Sequence, residues 1–184
     1  MPTAAIEVMG PPTTSGTRDA FAELVMEAGC NEFEWLKDWK KKNESEYKRM
    51  CQTMREDGAY VEAGENDNLI VQKLSVKPNA FGIFGFSFLD ANRDKIVAAT
   101  IERVTPDADA IADGVYPVSR PLFFYVKKAN VGVVPGIPEY IEEFTSEKAW
   151  GEEGYLVEKG LVPLPARQRK QIADSARKLE LMKM

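Results

Sequence analysis

The sequence predicts an α/β fold in which a mostly parallel sheet is flanked by helices. Short apolar strand patterns alternate with helical patterns along most of the 184 residues, which is the order that a parallel sheet requires. With 44% hydrophobic and 29% charged residues, the chain has a globular composition and enough apolar residues for one or two small cores. The helical patterns are longer than the strand patterns, so helix content is expected to exceed strand content.

The amino-terminal half predicts strands and helices in alternation. One predicted helix repeats its apolar face at i, i+3, i+4 and i+7, at Tyr47, Met50, Cys51 and Met54. Ala80–Phe86 is a continuous apolar run that indicates a buried strand, and its glycines indicate close approach of the backbone to a neighbour. The other predicted elements are strand Ala4–Met9, a helix that follows Thr13-Thr14-Ser15 and stops at Gly29, helices Glu32–Lys40 and Glu44–Arg55, strand Ala59–Ala63, helix Asn68–Leu74 and a short helix at Phe88 and Leu89.

The carboxy-terminal half continues the alternation. Lys95–Arg103 is rich in β-branched residues and predicts a strand, and Pro121–Lys127 is an apolar run that predicts a buried one. The predicted helices are Asp107–Asp113, Ile137–Thr145, Ala149–Glu158 and Arg167–Met184. The aromatic rings expected in the core rather than around a ligand are Phe81, Phe84, Phe86, Phe123 and Phe124.

The composition argues against several classes of function. The chain has no histidine, which excludes a Ser-His-Asp triad and a histidine zinc site, and no other pattern indicates a metal or a cofactor. A net charge of -5 with only short basic runs argues against a nucleic-acid partner. No apolar run could cross a bilayer, and Met1–Gly10 does not have the pattern of a signal peptide. Cys30 and Cys51 do not form a C-x-x-C motif, so one disulfide and two free thiols both stay open.

The segment Gly10–Phe21, GPPTTSGTRDAF, carries the pattern of an anion site. A strand stops, a Gly/Pro loop turns, and a hydroxyl-rich stretch opens a helix whose first N–H groups have no partner within the helix. These groups also carry the positive end of the helix dipole. Gly16 leaves room for an oxyanion, Ser15 and Thr17 offer hydroxyls, and Arg18 offers a guanidinium fork for two phosphate oxygens.

The same residues also allow a simpler interpretation. Ser and Thr are among the commonest capping residues, so an ordinary helix cap alone would explain Ser15 or Thr17. The segment is neither a Walker A loop nor a GxGxxG dinucleotide motif. From the residues alone, a helix cap and an anion site are both open.

SGTRDAF after a strand and a Pro-rich loop resembles the phosphate-binding motif of periplasmic phosphate-binding proteins, which have the type II periplasmic binding protein fold. Three later segments resemble that family in the same order: its glycine-rich strand at Ala80–Phe86, its hinge region at Tyr116–Val126 and its ending at Leu161–Pro165. The sequence departs from many members at Pro11, where they carry an arginine.

The resemblance implies a solute-binding component that binds inorganic phosphate, with sulfate as a surrogate, and is not an enzyme. Thr14, Ser15, Gly16, Thr17 and Arg18 are the implied phosphate-binding residues. An ABC-transporter permease is the implied partner of the full-length protein, and the periplasm is the implied location. Residues 1–103 are expected to form the lobe with the motif, and residues 104–184 the hinge return and part of the other lobe.

Family members have an amino-terminal lobe segment before this motif, so the two-lobe architecture is expected to be incomplete and the chain truncated. Because the family's acceptor for the phosphate proton is expected in that segment, this chain alone is expected to bind phosphate weakly or not at all. Apolar area that an incomplete lobe leaves uncovered favours a homodimer of the chain.

Two other functions are compatible with the sequence, and three other groups of residues could lie near the ligand. The chain could be an enzyme acting on phosphorylated substrates, or a scaffold that has lost ligand binding. Asn66 and its neighbours favour a turn and helix cap over a place in the cleft. Asp19 is expected to complement the helix dipole or to pair with Arg18. Arg120 is expected to pair with a nearby carboxylate or carbonyl rather than to contact the ligand.

Overall fold

The structure is a computed structural model that describes residues 5–182. Three parallel strands form a sheet in the order β2-β1-β3, with β1 at Glu7–Gly10, β2 at Tyr60–Glu62 and β3 at Ala80–Gly82. In this register Met9 lies opposite Val61 on one side and Gly82 on the other. The predicted α/β class, the parallel sheet and the excess of helix over strand are confirmed.

Helices connect the strands, as a parallel sheet requires. The chain after β1 forms one continuous helical run: α1 at Gly16–Phe21, a π-helical stretch at Ala22–Glu27 and α2 at Ala28–Cys30. The other helices up to residue 112 are α3 at Glu34–Lys42, α4 at Glu44–Gln52, α5 at Asp67–Val76, α6 at Phe86–Asp90 and α7 at Ala108–Ala112. The predicted helices in this half are therefore present, with ends shifted by a few residues.

The chain divides into two compact units. The first contains the described residues up to Thr105 together with Pro117–Arg120, and the second contains Pro106–Tyr116 and the described residues from Pro121 onward. The core beside the sheet is built on Met9, Ala63 and Ile70, against which the partly buried residues Leu74, Ala80 and Phe84 pack. A second core in the same unit joins α3 and α4 through Leu36, Tyr47 and Cys51.

A disulfide links α2 to α4. Cys30 and Cys51 are bonded at an Sγ–Sγ distance of 2.06 Å, which answers the question that the sequence left open. Cys51 is buried in the second core, and Cys30 packs against that core. The bond therefore ties the helical run after β1 to the α3–α4 pair.

The second unit is mainly helical. Its helices after residue 130 are α8 at Ile137–Phe144, α9 at Glu147–Trp150 and α10 at Ala166–Arg177, with 3-10 turns at Lys128–Asn130 and Val157–Lys159. Arg169 of α10 is buried and joins these elements, because its guanidinium donates to both carboxylate oxygens of Glu147 at 3.1 and 2.9 Å and to the carbonyl of Leu164 at 2.6 Å.

Two predicted strands are wrong. Lys95–Arg103 and Pro121–Lys127 contain no strand, and Val97 and Leu122 are 96% and 77% exposed. Strand propensity measures how well a residue fits a pleated, half-buried surface, so it is expressed only where a neighbouring strand supplies that surface. Among residues 5–182, no strand pairs with either segment.

The prediction of a long strand at Ala80–Phe86 is also wrong in its extent. Only Ala80–Gly82 pairs with β1, and the chain then turns into α6, which begins after Gly85. The close approach expected of the glycines holds at Gly82, where a Cβ atom would lie 2.5 Å from Leu74 Cδ1.

Two of the five aromatic rings predicted for the core are exposed. Phe81 and Phe123 are 55% and 58% exposed, and Leu122, the neighbour of Phe123, is exposed as well. Phe84 packs against the core beside the sheet, and Phe124 makes an edge-to-face contact with Phe144 of α8 at 4.5 Å between ring centroids.

The predicted helix at Ala149–Glu158 is interrupted, and the last helix is shorter than predicted. Helix α9 stops at Trp150, and a turn that contains Gly154 leads to the 3-10 turn at Val157–Lys159. Helix α10 ends at Arg177. Residues 1–4 and 183–184, which include the ends of the first predicted strand and the last predicted helix, lie outside the described residues.

Gly154→Ala is expected to lower the free energy of unfolding by about 2 kcal/mol, the cost of overpacking. A Cβ atom there would lie 2.4 Å from the carbonyl oxygen of Ala149 and 2.7 Å from its carbonyl carbon, and backbone atoms cannot rotate away. Gly29→Ala is the matched control, because it lies in α2 with nothing within 4 Å and should stabilise the helix slightly. Urea unfolding of both variants tests this; equal stabilities would contradict it.

Candidate functional site

The predicted anion site lies at the carboxyl edge of the sheet, inside the first unit. Strand β1 ends at Gly10, and the loop from Pro11 turns at Ser15, whose N–H donates to the carbonyl of Pro12 at 3.0 Å. Because β2 runs parallel to β1, its last residue, Glu62, lies beside Gly10 at the same edge. Ligands of open α/β sheets bind at this edge, so the fold places the segment where an anion site is expected.

The start of α1 combines a helix cap with unpaired amides. Ser15 is the N-cap, and its Oγ accepts a hydrogen bond from the N–H of Thr17 at 3.2 Å. The carbonyl of Ser15 accepts from the N–H of Asp19 at 3.3 Å. In the described part of the chain, the N–H groups of Gly16 and Arg18 have no acceptor, and Gly16 is exposed to solvent. The helix cap is therefore present and uses only part of the donor set, and the anion site stays a prediction for the same helix end.

Arg18 is held between two residues of β2. Its guanidinium donates to Oε1 of Glu62 and lies over the ring of Tyr60, with Cζ 5.2 Å from the ring centroid. The side chain of Arg18 is only 16% exposed, whereas that of Glu62 is 50% exposed. Arg18 therefore pairs with Glu62 rather than with Asp19. Of the two roles expected of Asp19, its place in the first turn of α1 fits the interaction of a carboxylate with the helix dipole.

Two further contacts surround the start of α1. The hydroxyl of Thr14 donates to Oε1 of Glu65, in the loop that follows β2. Arg120 donates from Nη2 to the carbonyl of Gly16 at 3.1 Å, which confirms the expected pairing of this arginine with a carbonyl. The start of α1 is thus contacted by two guanidinium groups, those of Arg18 and Arg120, and by the carboxylates of Glu62 and Glu65, and it carries the carboxylate of Asp19 in its first turn.

Tyr60, on β2, holds the loop that follows β1. Its hydroxyl donates to the carbonyl of the buried Pro11 at 2.7 Å, and burial raises the pKa of this phenol, although the nearby Arg18 opposes that rise. Gly10 is required here, because a Cβ atom would lie 2.4 Å from the Tyr60 hydroxyl. The position of the loop is therefore fixed by a strand residue that the motif does not include.

The loop after β2 leads into α5 through a cap. Asn66 accepts from the N–H of Asn68 at 3.0 Å, which confirms the predicted turn and cap. Asp67 accepts from the N–H of Gly85 at 3.3 Å, and burial raises the pKa of this carboxyl. Asp67 thereby connects the start of α5 to the loop that follows β3.

The five predicted site residues lie together on one loop and helix start. Sequence reasoning missed three residues that contact them from β2 and its loop: Tyr60, Glu62 and Glu65. The sequence did contain a signal for these three residues. A predicted strand at Ala59–Ala63 that runs parallel to the first strand must end at the same edge of the sheet as the anion segment. Within residues 5–182, no group of three or more acidic or cysteine side chains could hold a metal ion, and no helix has the length and apolar character of a membrane span.

Comparison with known proteins gives one family and several relatives. A PBP superfamily domain matches residues 1–148. The chain is 28% identical over 177 residues to the protein SphX of Synechococcus elongatus, covering 90% of this chain and 42% of that protein. It is 31% identical over 113 residues to the phosphate-binding protein PstS of Staphylococcus haemolyticus, covering 57% of this chain and 35% of that protein.

One solved structure is similar over nearly the whole chain. It is the crystal structure of a possible phosphate binding protein from Planctomyces limnophilus, with 26% sequence identity and a TM-score of 0.61. The similarity covers 98% of this chain and 56% of that one. Against these three proteins, the chain spans between 35% and 56% of the relative's length.

Proposed function

Because the chain belongs to the PBP superfamily, we propose that it binds inorganic phosphate at Thr14–Arg18 as the solute-binding component of an ABC-transporter uptake system. The observation that carries the proposal is the pair of unpaired amides of Gly16, which is exposed, and Arg18, which is half-buried, at the carboxyl edge of the sheet. The phosphate-binding relatives support the choice of ligand.

The chemistry of the segment suits a tetrahedral oxyanion. A bound phosphate must exchange its water shell for protein donors, and the amides of Gly16 and Arg18 are donors that folding leaves available. The hydroxyls of Thr14, Ser15 and Thr17 add donors, since a hydroxyl can rotate its hydrogen toward an anion. The guanidinium of Arg18 supplies the positive charge, and sulfate is expected to act as a surrogate ligand.

We propose the following for the full-length protein. Residues 1–103 form the lobe with the motif, residues 104–184 form the hinge return and part of the other lobe, and a permease receives the phosphate. The periplasm is the location, and the Cys30–Cys51 disulfide supports an oxidising compartment. The chain by itself binds phosphate weakly and forms a homodimer through apolar residues that are left exposed.

Catalysis on phosphorylated substrates is the competing function. The segment offers donors and positive charge, but the carboxylates that contact it from β2 and its loop, Glu62 and Glu65, are paired with Arg18 and Thr14 rather than placed as free bases. We therefore propose a binding function without turnover. Hydrolysis of a chromogenic phosphate ester by the purified chain would favour the enzyme instead.

A phosphate titration followed by NMR tests the binding site directly. We expect saturable shifts in the amide signals of Gly16, Thr17 and Arg18 at millimolar phosphate and constant ionic strength. The N–H groups that donate to a bound oxyanion change their environment most, so amides on α3, which packs against α4 in the second core, serve as an internal control. Shifts that spread over the surface without saturating, or no shifts at all, would contradict the proposal and favour a scaffold that has lost its ligand.

A further inference from the structure

We propose that Glu62 competes with the ligand for Arg18 and thereby sets the affinity of the anion site; this inference rests on the proposed function. The two side chains form an ion pair in the ligand-free structure. An incoming anion needs the same guanidinium, so it must displace the carboxylate of Glu62 or share Arg18 with it.

The position of Glu62 is fixed by the sheet rather than by a mobile loop. It is the last residue of β2 and pairs with Gly10 in the register between β2 and β1. The next residue, Ala63, donates its N–H to the carbonyl of Gly10 at 2.9 Å. The Glu62 side chain therefore starts beside the loop that leads to the site.

The two partners differ in their freedom to move. Arg18 is 16% exposed and packed over the ring of Tyr60, whereas half of the Glu62 side chain is exposed. A carboxylate that turns into water regains its hydration, and an ion pair so close to the surface is weak. An anion should therefore expel Glu62 while Arg18 stays on Tyr60.

A second carboxylate makes the local field more negative. Glu65 accepts a hydrogen bond from the hydroxyl of Thr14, so two donors of the anion site, Thr14 and Arg18, each contact an acidic side chain. Glu65 engages a neutral hydroxyl, whereas Glu62 holds the guanidinium of Arg18; the second guanidinium at the site, that of Arg120, donates to the carbonyl of Gly16. Glu62 is thus the carboxylate whose removal should change affinity most.

Glu62→Gln tests the inference, because the amide keeps an oxygen that can accept from Arg18 while the charge is lost. We expect phosphate to bind roughly fivefold more tightly to Glu62→Gln than to the unmodified chain, from the strength typical of one surface ion pair. Glu56→Gln is the matched control: Glu56 is exposed, lies outside the site, and its loss changes the net charge by the same amount. The control should leave the dissociation constant unchanged.

The outcomes separate the inference from the function on which it rests. If the unmodified chain binds phosphate and Glu62→Gln binds it equally well or less well, the inference is wrong and the proposed function stands. Weaker binding by Glu62→Gln would show that Glu62 positions Arg18. Tighter binding by both Glu62→Gln and Glu56→Gln also overturns it, since the effect would then be one of overall charge. Absence of phosphate binding by all three chains overturns the inference and the proposed function together.

Discussion

Arg18→Ala is expected to weaken phosphate binding by about 3 kcal/mol, roughly a hundredfold in the dissociation constant. The variant loses one of the two guanidinium groups at the anion site, and it also leaves the carboxylate of Glu62 without its partner there. Both changes act against an anion. Titration of the variant and of the unmodified chain by NMR, under the same salt conditions, gives the ratio of the two dissociation constants.

Two further variants show whether a loss of phosphate affinity in Arg18→Ala is specific to the guanidinium of Arg18. Arg93→Ala removes an exposed arginine that pairs with Asp90 outside the site, so it should leave phosphate binding unchanged. Arg18→Lys keeps the charge but not the planar fork, and an intermediate affinity is expected. If Arg18→Ala binds as well as Arg93→Ala, the guanidinium does not contact the ligand.

Removal of the disulfide is expected to lower the free energy of unfolding by about 3 kcal/mol in the Cys30→Ala, Cys51→Ala double variant. The bond closes a loop with a sequence separation of 21 residues, and losing it gives the unfolded chain more conformations. The buried Cys51 also leaves a small gap beside Leu36 and Tyr47 when it becomes alanine. Urea unfolding of the double variant measures the difference.

A reducing agent provides the control for this second prediction. It should destabilise the unmodified chain by a similar amount and should not affect the double variant, which has no bond to reduce. Unfolding curves that coincide for the oxidised chain and the double variant would show that the bond contributes little to the stability of the α2–α4 connection.

The sequence was sufficient to predict elements whose signal is local. The strand that ends at Gly10, the Pro-rich turn and the capped helix start follow one another in the chain, and each has its own residue pattern. The predicted site residues therefore lie together because they are neighbours in sequence. Asn66 as a cap and Arg120 on a carbonyl were also predictable, because those roles match common side-chain chemistry.

Features that depend on contacts between distant residues were not predictable in the same way. Glu62 and Tyr60 reach the site only through the pairing of β2 with β1, more than forty residues apart in sequence. Lys95–Arg103 and Pro121–Lys127 have strand composition, but composition does not tell whether a pairing strand is present. The exposure of Phe123 follows from the same cause, since an apolar segment is buried only when something covers it.

A crystal structure determined from crystals grown in phosphate would test the anion site most directly. A tetrahedral anion should lie within hydrogen-bond distance of the amides of Gly16 and Arg18, with the Arg18 guanidinium on the anion and Glu62 turned toward solvent. Well-ordered density for this segment without an anion, with Gly16 packed against protein, would contradict the assignment of the chain as a phosphate receptor.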